Sequence, residues 1–519
     1  MASSLLLIVD LLLVIGLAVG CLVYWYLTKN FNYWKDRGVP FVKPHWFFGN
    51  VGHQVLQRKS CTEFAKNLYN KFKDNGYGGI FLFRKPVIFV CDLGLIEKIL
   101  TQDFTHFEDR SVACNPEEPL SDTLFNASGD KWRNMRHKLT TTFSSAKVKG
   151  MFNQVFNCGD YLIKEIEECS KRNKLVEIEP LAFNFATEVI ASCVCGVQLM
   201  SDPVVGNKFR ESLDILFQFP PLKLAKTYIG IVYPELFRRL NIKYTPNSVK
   251  HFFVNLTEET IKYRKQNNIK RNDFLQMMIT LKEQEEIGSS FDSQLHNCEL
   301  QQNGQQFSAV KCFTDRSIPS LVFNFLAAGT KPSVSTLTLT MFEIAKNPSI
   351  QKRLQEEVES CVAKYHGFNY QAISEMGYLD QIIQETHRIY TFQKVITRLV
   401  TKPYKIPGTD LVLEKGTIVY IPISAIHMDP KFYPEPEVFD PERFAGNNYK
   451  PSCRFLPYGH GPRICIGVKF VALLMKVFVA RIVIKYSIKL EMNPSIEWDG
   501  NVCAPQPKNG IWLSFHDRE

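Results

Sequence analysis

The sequence predicts a mainly α fold with small β-sheets, a single large domain behind an N-terminal membrane-crossing helix. Three observations predict it. The runs Ile318–Glu343 and Ile466–Ile484 are apolar at nearly every helical period, which marks long buried helices. Gly79–Val90 (Gly-Ile-Phe-Leu-Phe-Arg-Lys-Pro-Val-Ile-Phe-Val) is rich in the aromatic and β-branched residues of strands and reads as a hairpin. No Gly/Ser-rich or charge-run linker divides the 519 residues, although length alone suggests about three domains.

Leu5–Leu27 is apolar apart from Asp10, and roughly 23 residues at about 1.5 Å each cross a bilayer. Tyr24, Trp25 and Tyr26 form an interfacial belt, and Lys29, Lys35 and Arg37 follow. No basic residue precedes the run, so the rest of the chain is expected to face the cytosol. The run is long for a cleaved signal peptide and lacks a basic start and a small-x-small cleavage site. The expected division is an anchor over 1–28, a Pro-containing spacer over 29–44, stiff and extended from Gly38 to Pro44, and the main domain over 45–519.

The formal charge of +10 is spread along the whole chain, which favours an acidic partner or an anionic membrane over a nucleic-acid groove. Fourteen cysteines without regular spacing read as reduced thiols. Cys193-Val-Cys195 lies in an apolar helical pattern and reads as core.

Phe455-Leu-Pro-Tyr-Gly-His-Gly-Pro-Arg-Ile-Cys-Ile-Gly467 carries the chemistry. Cys465 follows a loop with Gly459, Gly461 and Pro462 and precedes the helix Ile466–Ile484, so free N–H groups and the helix dipole favour its thiolate. Such a thiolate is a metal ligand or a nucleophile. The glycines let the backbone approach something flat, and Arg463 offers a cation to an acidic group on it. Without a Cys/His set at zinc-ligand spacing, haem fits best. Tyr458-Gly-His-Gly-Pro-Arg463-Ile-Cys465-Ile-Gly467 resembles the haem-thiolate loop of the cytochrome P-450 family. Two departures stand out: the family usually has Phe at Tyr458, and His460 replaces an acidic or small residue.

Further motifs follow in the family's order. Asp130–Arg136 opens a helix with Trp132 and Arg136 on one face, able to hold a carboxylate. The resemblance makes that carboxylate a haem propionate. Phe217–Phe237 reads as a surface loop region, by analogy a roof over the substrate, and the polar stretch Glu283–Gln306 as an exposed connection. In the middle of the central helix, Ala327-Ala328-Gly329-Thr330-Lys331-Pro332-Ser333 offers small residues against which a flat ligand can lie. The family places an acid and an alcohol there to relay protons during oxygen activation. Here Lys331 and Pro332 occupy those places, and the proline is expected to kink the helix. Glu385-Thr-His-Arg388 and Phe439-Asp-Pro441-Glu-Arg443-Phe444 match the family's Glu-x-x-Arg helix and following loop. They imply a buried Glu385–Arg388–Arg443 network. Arg398 matches a second propionate ligand.

The resemblance, closest to insect microsomal members, implies a monooxygenase carrying haem b (iron protoporphyrin IX). Cys465 would hold the iron, with Trp132, Arg136, Arg398, Tyr458, Arg463 and Gly467 around the cofactor. Ala328, Gly329 and Pro332 would stand on the oxygen-binding side. It implies a lipophilic small-molecule substrate, electrons from an NADPH-dependent cytochrome reductase with cytochrome b5 as a further donor, and single-pass anchoring in the endoplasmic reticulum membrane. Because Lys331-Pro332 replaces the acid and alcohol, two alternatives stay open: a haem-thiolate isomerase or dehydratase, and a non-catalytic haem protein that sequesters lipophilic ligands.

Overall fold

The helix Ala2–Thr28 stands with its apolar side chains in the open: Leu5–Thr28 has a mean hydropathy of 2.9 and none of it is buried. So large an exposed apolar surface is stable only against lipid or another apolar partner. This computed structural model describes residues 2–111, 115, 118–172, 174–292, 311–447, 452–491, 495–499 and 505–518. The chain is mainly helical with short strands and divides into two units. One is Met1–Ala113 with Pro220–Pro234 and Lys394–Ile426; the other is Cys114–Phe219 with Glu235–Gln393 and His427–Glu519.

In the first unit the expected hairpin is present as Tyr77–Leu82 and Lys85–Val90. It extends into a four-stranded sheet by parallel pairing of Lys85–Val90 with Ile418–Ile421, which in turn pairs antiparallel with Ile396–Leu399. Tyr77–Leu82 and Ile418–Ile421 are buried on both faces, so they read as near-continuous apolar runs, whereas Ile396–Leu399 at the edge alternates. The junction with this helix is packed. Trp34 is fully buried and its Nε1 donates to the Ile80 carbonyl at 3.1 Å. Its ring occupies the space a Cβ on Gly79 would need, with Cγ 2.3 Å from that position. The segment after it is extended as expected and bonded to the hairpin, Gly79 N–H donating to Pro40 at 2.8 Å and Val42 N–H to Gly79 at 3.1 Å.

In the second unit the central helix is Ser317–Lys346, ending before Asn347-Pro348 as the sequence indicates. It packs on Ile178–Cys195, whose Cys193 and Cys195 are buried as core. Ile178–Cys195 is itself apolar and long enough to cross a membrane, yet 83% of it is buried inside the protein. Val468–Val483 also packs on the central helix. A three-stranded sheet orders Val176–Glu177, Trp512–Asp517 and Tyr486–Leu490.

Two segments differ from expectation. Phe217–Phe237 is not a loop: Pro203–Phe217, Pro221–Val232 and Pro234–Arg239 are helices. Each proline opens its helix, where its missing N–H and fixed φ are favourable. The helix Phe274–Asp292 runs into the stretch expected as a connection, because polar residues such as Lys282, Glu283, Gln284 and Glu285 are good helix formers. Residues 293–306 of that stretch lie outside the described residues.

Candidate active site

Gly459 and Gly461 are both left-handed, φ 78° and 72°, and a Cβ on Gly459 would meet nothing within 4 Å. The loop thus requires glycine for its conformation and leaves open space beside it. Gly467, by contrast, has an ordinary φ of −89° and caps Val468–Val483. The helix therefore starts two residues beyond the expected Ile466, and Cys465 precedes its cap. The Cys465 N–H donates to the Tyr458 carbonyl at 2.9 Å. Its side chain is exposed, whereas Cys91, Cys158, Cys193, Cys195, Cys312 and Cys453 are buried. Burial pushes the thiols of Cys91, Cys158 and Cys195 up to about 12, so they stay protonated near neutral pH.

Cations gather near this loop. Arg463 is buried, its guanidinium lies 4.2 Å from the centre of the Trp132 ring, and its Nη2 donates to Ala127 O at 2.7 Å. Arg136 stands one turn along the helix Gly129–Thr142 from Trp132. Burial lowers the pKa of Arg136, and the Cys465 thiolate opposes that shift. A half-buried guanidinium coupled to a thiolate suits an acidic ligand between them. The ring of Trp132 thus meets Arg463, a pairing its spacing to Arg136 does not reveal. Arg398 belongs to the first unit. It is buried on Ile396–Leu399 opposite Val419, and its Nη1 donates to Thr397 O at 3.0 Å.

Glu385 and Arg388, on Gly377–Ile389, are fully buried and paired twice, Nε to Oε2 and Nη2 to Oε1, both at 2.7 Å. Arg443 Nε approaches Glu385 Oε1 at 3.4 Å, and Asp440 N–H donates to the same oxygen at 3.0 Å. Arg388 Nη1 donates to the His427 carbonyl at 3.0 Å, and the His427 ring accepts the Leu456 N–H at 2.9 Å. His427, which the motifs do not single out, therefore joins this ion network to the loop before Cys465. A second tie is His387, whose Nε2 lies 2.7 Å from the Tyr458 hydroxyl. The sequence signal for His427 was a histidine after an apolar stretch and for His387 a place inside Glu385-Thr-His-Arg388, and neither alone specifies a partner.

The central helix is buried nearly throughout, but Asn324 is partly accessible and so, along one face, are Phe325, Ala328, Gly329 and Pro332. Their i, i+3, i+4, i+7 spacing makes one face, so Ala328, Gly329 and Pro332 contribute shape rather than reactive groups. Thr330, Ser333 and Thr336 turn their hydroxyls to carbonyls of their own helix, those of Leu326, Gly329 and Pro332, at 2.8, 2.5 and 3.0 Å. Lys331 points elsewhere: its Nζ sits 2.7 Å from Asp214, 4.0 Å from Glu179 and 5.4 Å from the Phe183 ring centre. Burial raises the pKa of Glu179, and the Lys331 charge counters it.

The cytochrome P450 family model matches residues 39–512 as one domain. The chain belongs to the cytochrome P450 family. It is 34% identical over 512 residues to probable cytochrome P450 6a14 of Drosophila melanogaster, spanning 96% of this chain and 98% of that protein. It is 34% identical to cytochrome P450 6a2 of the same species, spanning 91% and 92%. To cytochrome P450 6B6 of Helicoverpa armigera it is 32% identical, spanning 96% of both. Cytochromes P450 are in general haem-thiolate monooxygenases, so this chain is an oxidoreductase whose cofactor is haem, iron protoporphyrin IX, on a cysteine thiolate. The residues present fit that group. An accessible sulfur follows a glycine loop with open space, and Arg136 and Arg463 supply charge for acidic substituents.

Proposed function

We propose that the protein is a membrane-anchored monooxygenase that inserts one oxygen atom from O2 into a lipophilic small molecule, with Cys465 as its haem ligand. The observation that carries this is the accessible Cys465 sulfur, coupled to Arg136 and set beside open glycine turns. Trp132, Arg136, Arg398 and Arg463 would neutralise the haem propionates. When bound, the haem supplies oxygen activation, its thiolate ligand favouring O–O cleavage. The chain's own part is to hold and orient. The Tyr458 carbonyl fixes the Cys465 backbone, and the ion network of Glu385, Arg388 and Arg443 stiffens the approach to the loop. Ala328 and Pro332 would leave a low, apolar floor that admits a flat ligand and disfavours ordered water, while Gly329 faces Ile190, whose Cδ1 lies 3.1 Å from where a Cβ on that glycine would be. Electrons would come from an NADPH-dependent cytochrome reductase, whose acidic face suits a chain of charge +10; cytochrome b5 is a further candidate donor. The helix Ala2–Thr28 would anchor residues 45–519 to the cytosolic face of the endoplasmic reticulum.

One observation favours a second reading. With Pro332 lacking a hydroxyl and Thr330, Ser333 and Thr336 bonded to backbone, no alcohol among these residues is poised to deliver a proton. That suits a haem-thiolate isomerase or dehydratase. NADPH consumption accompanied by an oxygenated product supports the monooxygenase; product formed without NADPH supports the second reading. The ligand assignment is tested by the reduced carbon monoxide complex. Its Soret band should be red-shifted as thiolate ligation requires, and an imidazole-type spectrum with Cys465 intact overturns it.

A further inference from the structure

Tyr458 stands where the haem-thiolate loop ordinarily has Phe, and its additional hydroxyl has a definite partner. It lies 2.7 Å from His387 Nε2, and the two rings meet edge to face with centroids 4.9 Å apart and planes at 71°. The carbonyl of the same residue accepts the Cys465 N–H at 2.9 Å. Tyr458 is therefore held at both ends, its backbone by the cysteine and its side chain by the helix Gly377–Ile389. That helix is a firm support. Two neighbours of His387 on it, Glu385 and Arg388, form the fully buried ion pair. His387 itself is buried, so a phenyl ring at 458 would leave its nitrogen without the hydroxyl in a place where water is scarce. The two side chains suit each other and close a short circuit: Cys465 backbone, Tyr458 carbonyl, Tyr458 hydroxyl, His387, helix.

We propose that the Tyr458–His387 hydrogen bond is a clasp that keeps the Cys465 sulfur in its ligating position, with Tyr458 and His387 acting as positioning residues. This rests on the assignment of Cys465 as the haem ligand. Without the clasp the loop keeps its backbone bond from Cys465 to Tyr458 but loses the side-chain anchor of that bond. The sulfur then leaves the iron or takes a proton more readily, while the fold persists.

The test uses the full-length, haem-loaded protein in membranes. Its reduced carbon monoxide complex is followed in mild urea as the thiolate-type Soret band converts to the thiol or imidazole type, with the far-UV melting point measured alongside. Tyr458→Phe and His387→Leu should each speed the conversion about five- to tenfold, the scale of one lost buried hydrogen bond. The double variant should be no faster than either single one, and His387→Gln, which keeps a polar partner, should stay within about twofold of the unchanged protein. Conversion unmoved by Tyr458→Phe, or effects that multiply in the double variant, overturns the clasp. So does acceleration that merely tracks the melting point. If Tyr458→Phe does not fold, His387→Leu against His387→Gln makes the same comparison. No thiolate band in the unchanged protein would overturn the Cys465 assignment and the clasp with it, whereas an intact band with unmoved kinetics overturns the clasp alone.

Discussion

Lys331 Nζ lies 2.7 Å from Asp214 Oδ1, so the position at which the family usually carries an acid holds a cation that already has an acid of its own. Asp214 comes from Pro203–Phe217 and Glu179 from Ile178–Cys195, so one buried ammonium ties three helices together. The charge pattern is reversed relative to the family habit rather than simply missing a group.

Restoring the usual acid by Lys331→Glu should therefore harm the protein. It would set a third carboxylate beside Asp214 and Glu179, the latter already disfavoured as an anion by burial. Because Asp214 is partly exposed, the loss should be modest, about 1–2 kcal/mol. Thermal denaturation should show a lower melting point for Lys331→Glu and recovery in Lys331→Glu/Asp214→Lys. A melting point unchanged by the single substitution would remove the ion pair from the account.

Pro332→Thr tests proton supply without disturbing that pair. It returns an N–H to the Ala328 carbonyl and a hydroxyl to the accessible face. Stability should rise by about 2 kcal/mol, from the helix propensities of the two residues. If the protein activates oxygen, product formed per NADPH should also rise and peroxide release fall. Tight coupling in the unchanged protein that drops on substitution would mean that water or substrate supplies the proton.

Glu385→Ala should be far more damaging. It leaves Arg388 fully buried and charged with its main partner gone, a change that costs about 3–5 kcal/mol. Because Arg388 also reaches the His427 carbonyl, haem retention should fall along with the urea midpoint, read from absorbance and far-UV circular dichroism. Arg388→Lys should not substitute, since an ammonium cannot make both parallel bonds.

The readable and unreadable parts of this protein divide along physical lines. Local chemistry was legible: glycines that need positive φ, an apolar run for a helix, small residues spaced along one face of the central helix. The Glu-x-x-Arg pair was legible because three residues of separation puts both on one helix face. Partnerships between distant segments were not. Nothing near Lys331 announces Asp214 or Glu179, and nothing near Trp132 announces Arg463, because packing rather than spacing brings them together. The helices opened by Pro221 and Pro234 were misread since proline marks both breaks and beginnings.

Acidification offers a separate test through His387. Burial pulls its pKa down to about 4, against an ordinary value of 6.5. The unfolded chain therefore takes up a proton between those limits while the folded one does not, so stability falls as pH drops from about 6.5 to about 4. The full contribution is roughly 3 kcal/mol. Urea midpoints measured between pH 7 and 5 should fall more steeply for the unchanged protein than for His387→Leu; equal slopes would show that His387 does not resist protonation.

Two truncations separate the N-terminal helix from the fold. Removing residues 1–28 should shift the protein at least partly off membranes while haem stays bound, because Trp34 and its bond to Ile80 survive. Extending the cut past Trp34 should destabilise the first unit by about 3–5 kcal/mol, the range for losing a buried tryptophan. Fractionation and haem absorbance check both. Loss of haem with the shorter cut would move the domain boundary toward the N-terminus.

Trp34 in its slot beside Gly79 also bears on what kind of attachment the N-terminal helix would give. A flexible tether would let the catalytic portion wander over the bilayer like a buoy on slack rope. Here five residues separate the end of the helix from a tryptophan locked into the first sheet, and Arg84 stacks 3.9 Å over Tyr26 in the last turn of the helix itself. The mount behaves as a short mast. For a chain held in a bilayer, the height and tilt of the first unit are then settled when the sheet folds, and substrate dissolved at one depth of the lipid meets that unit differently from substrate at another.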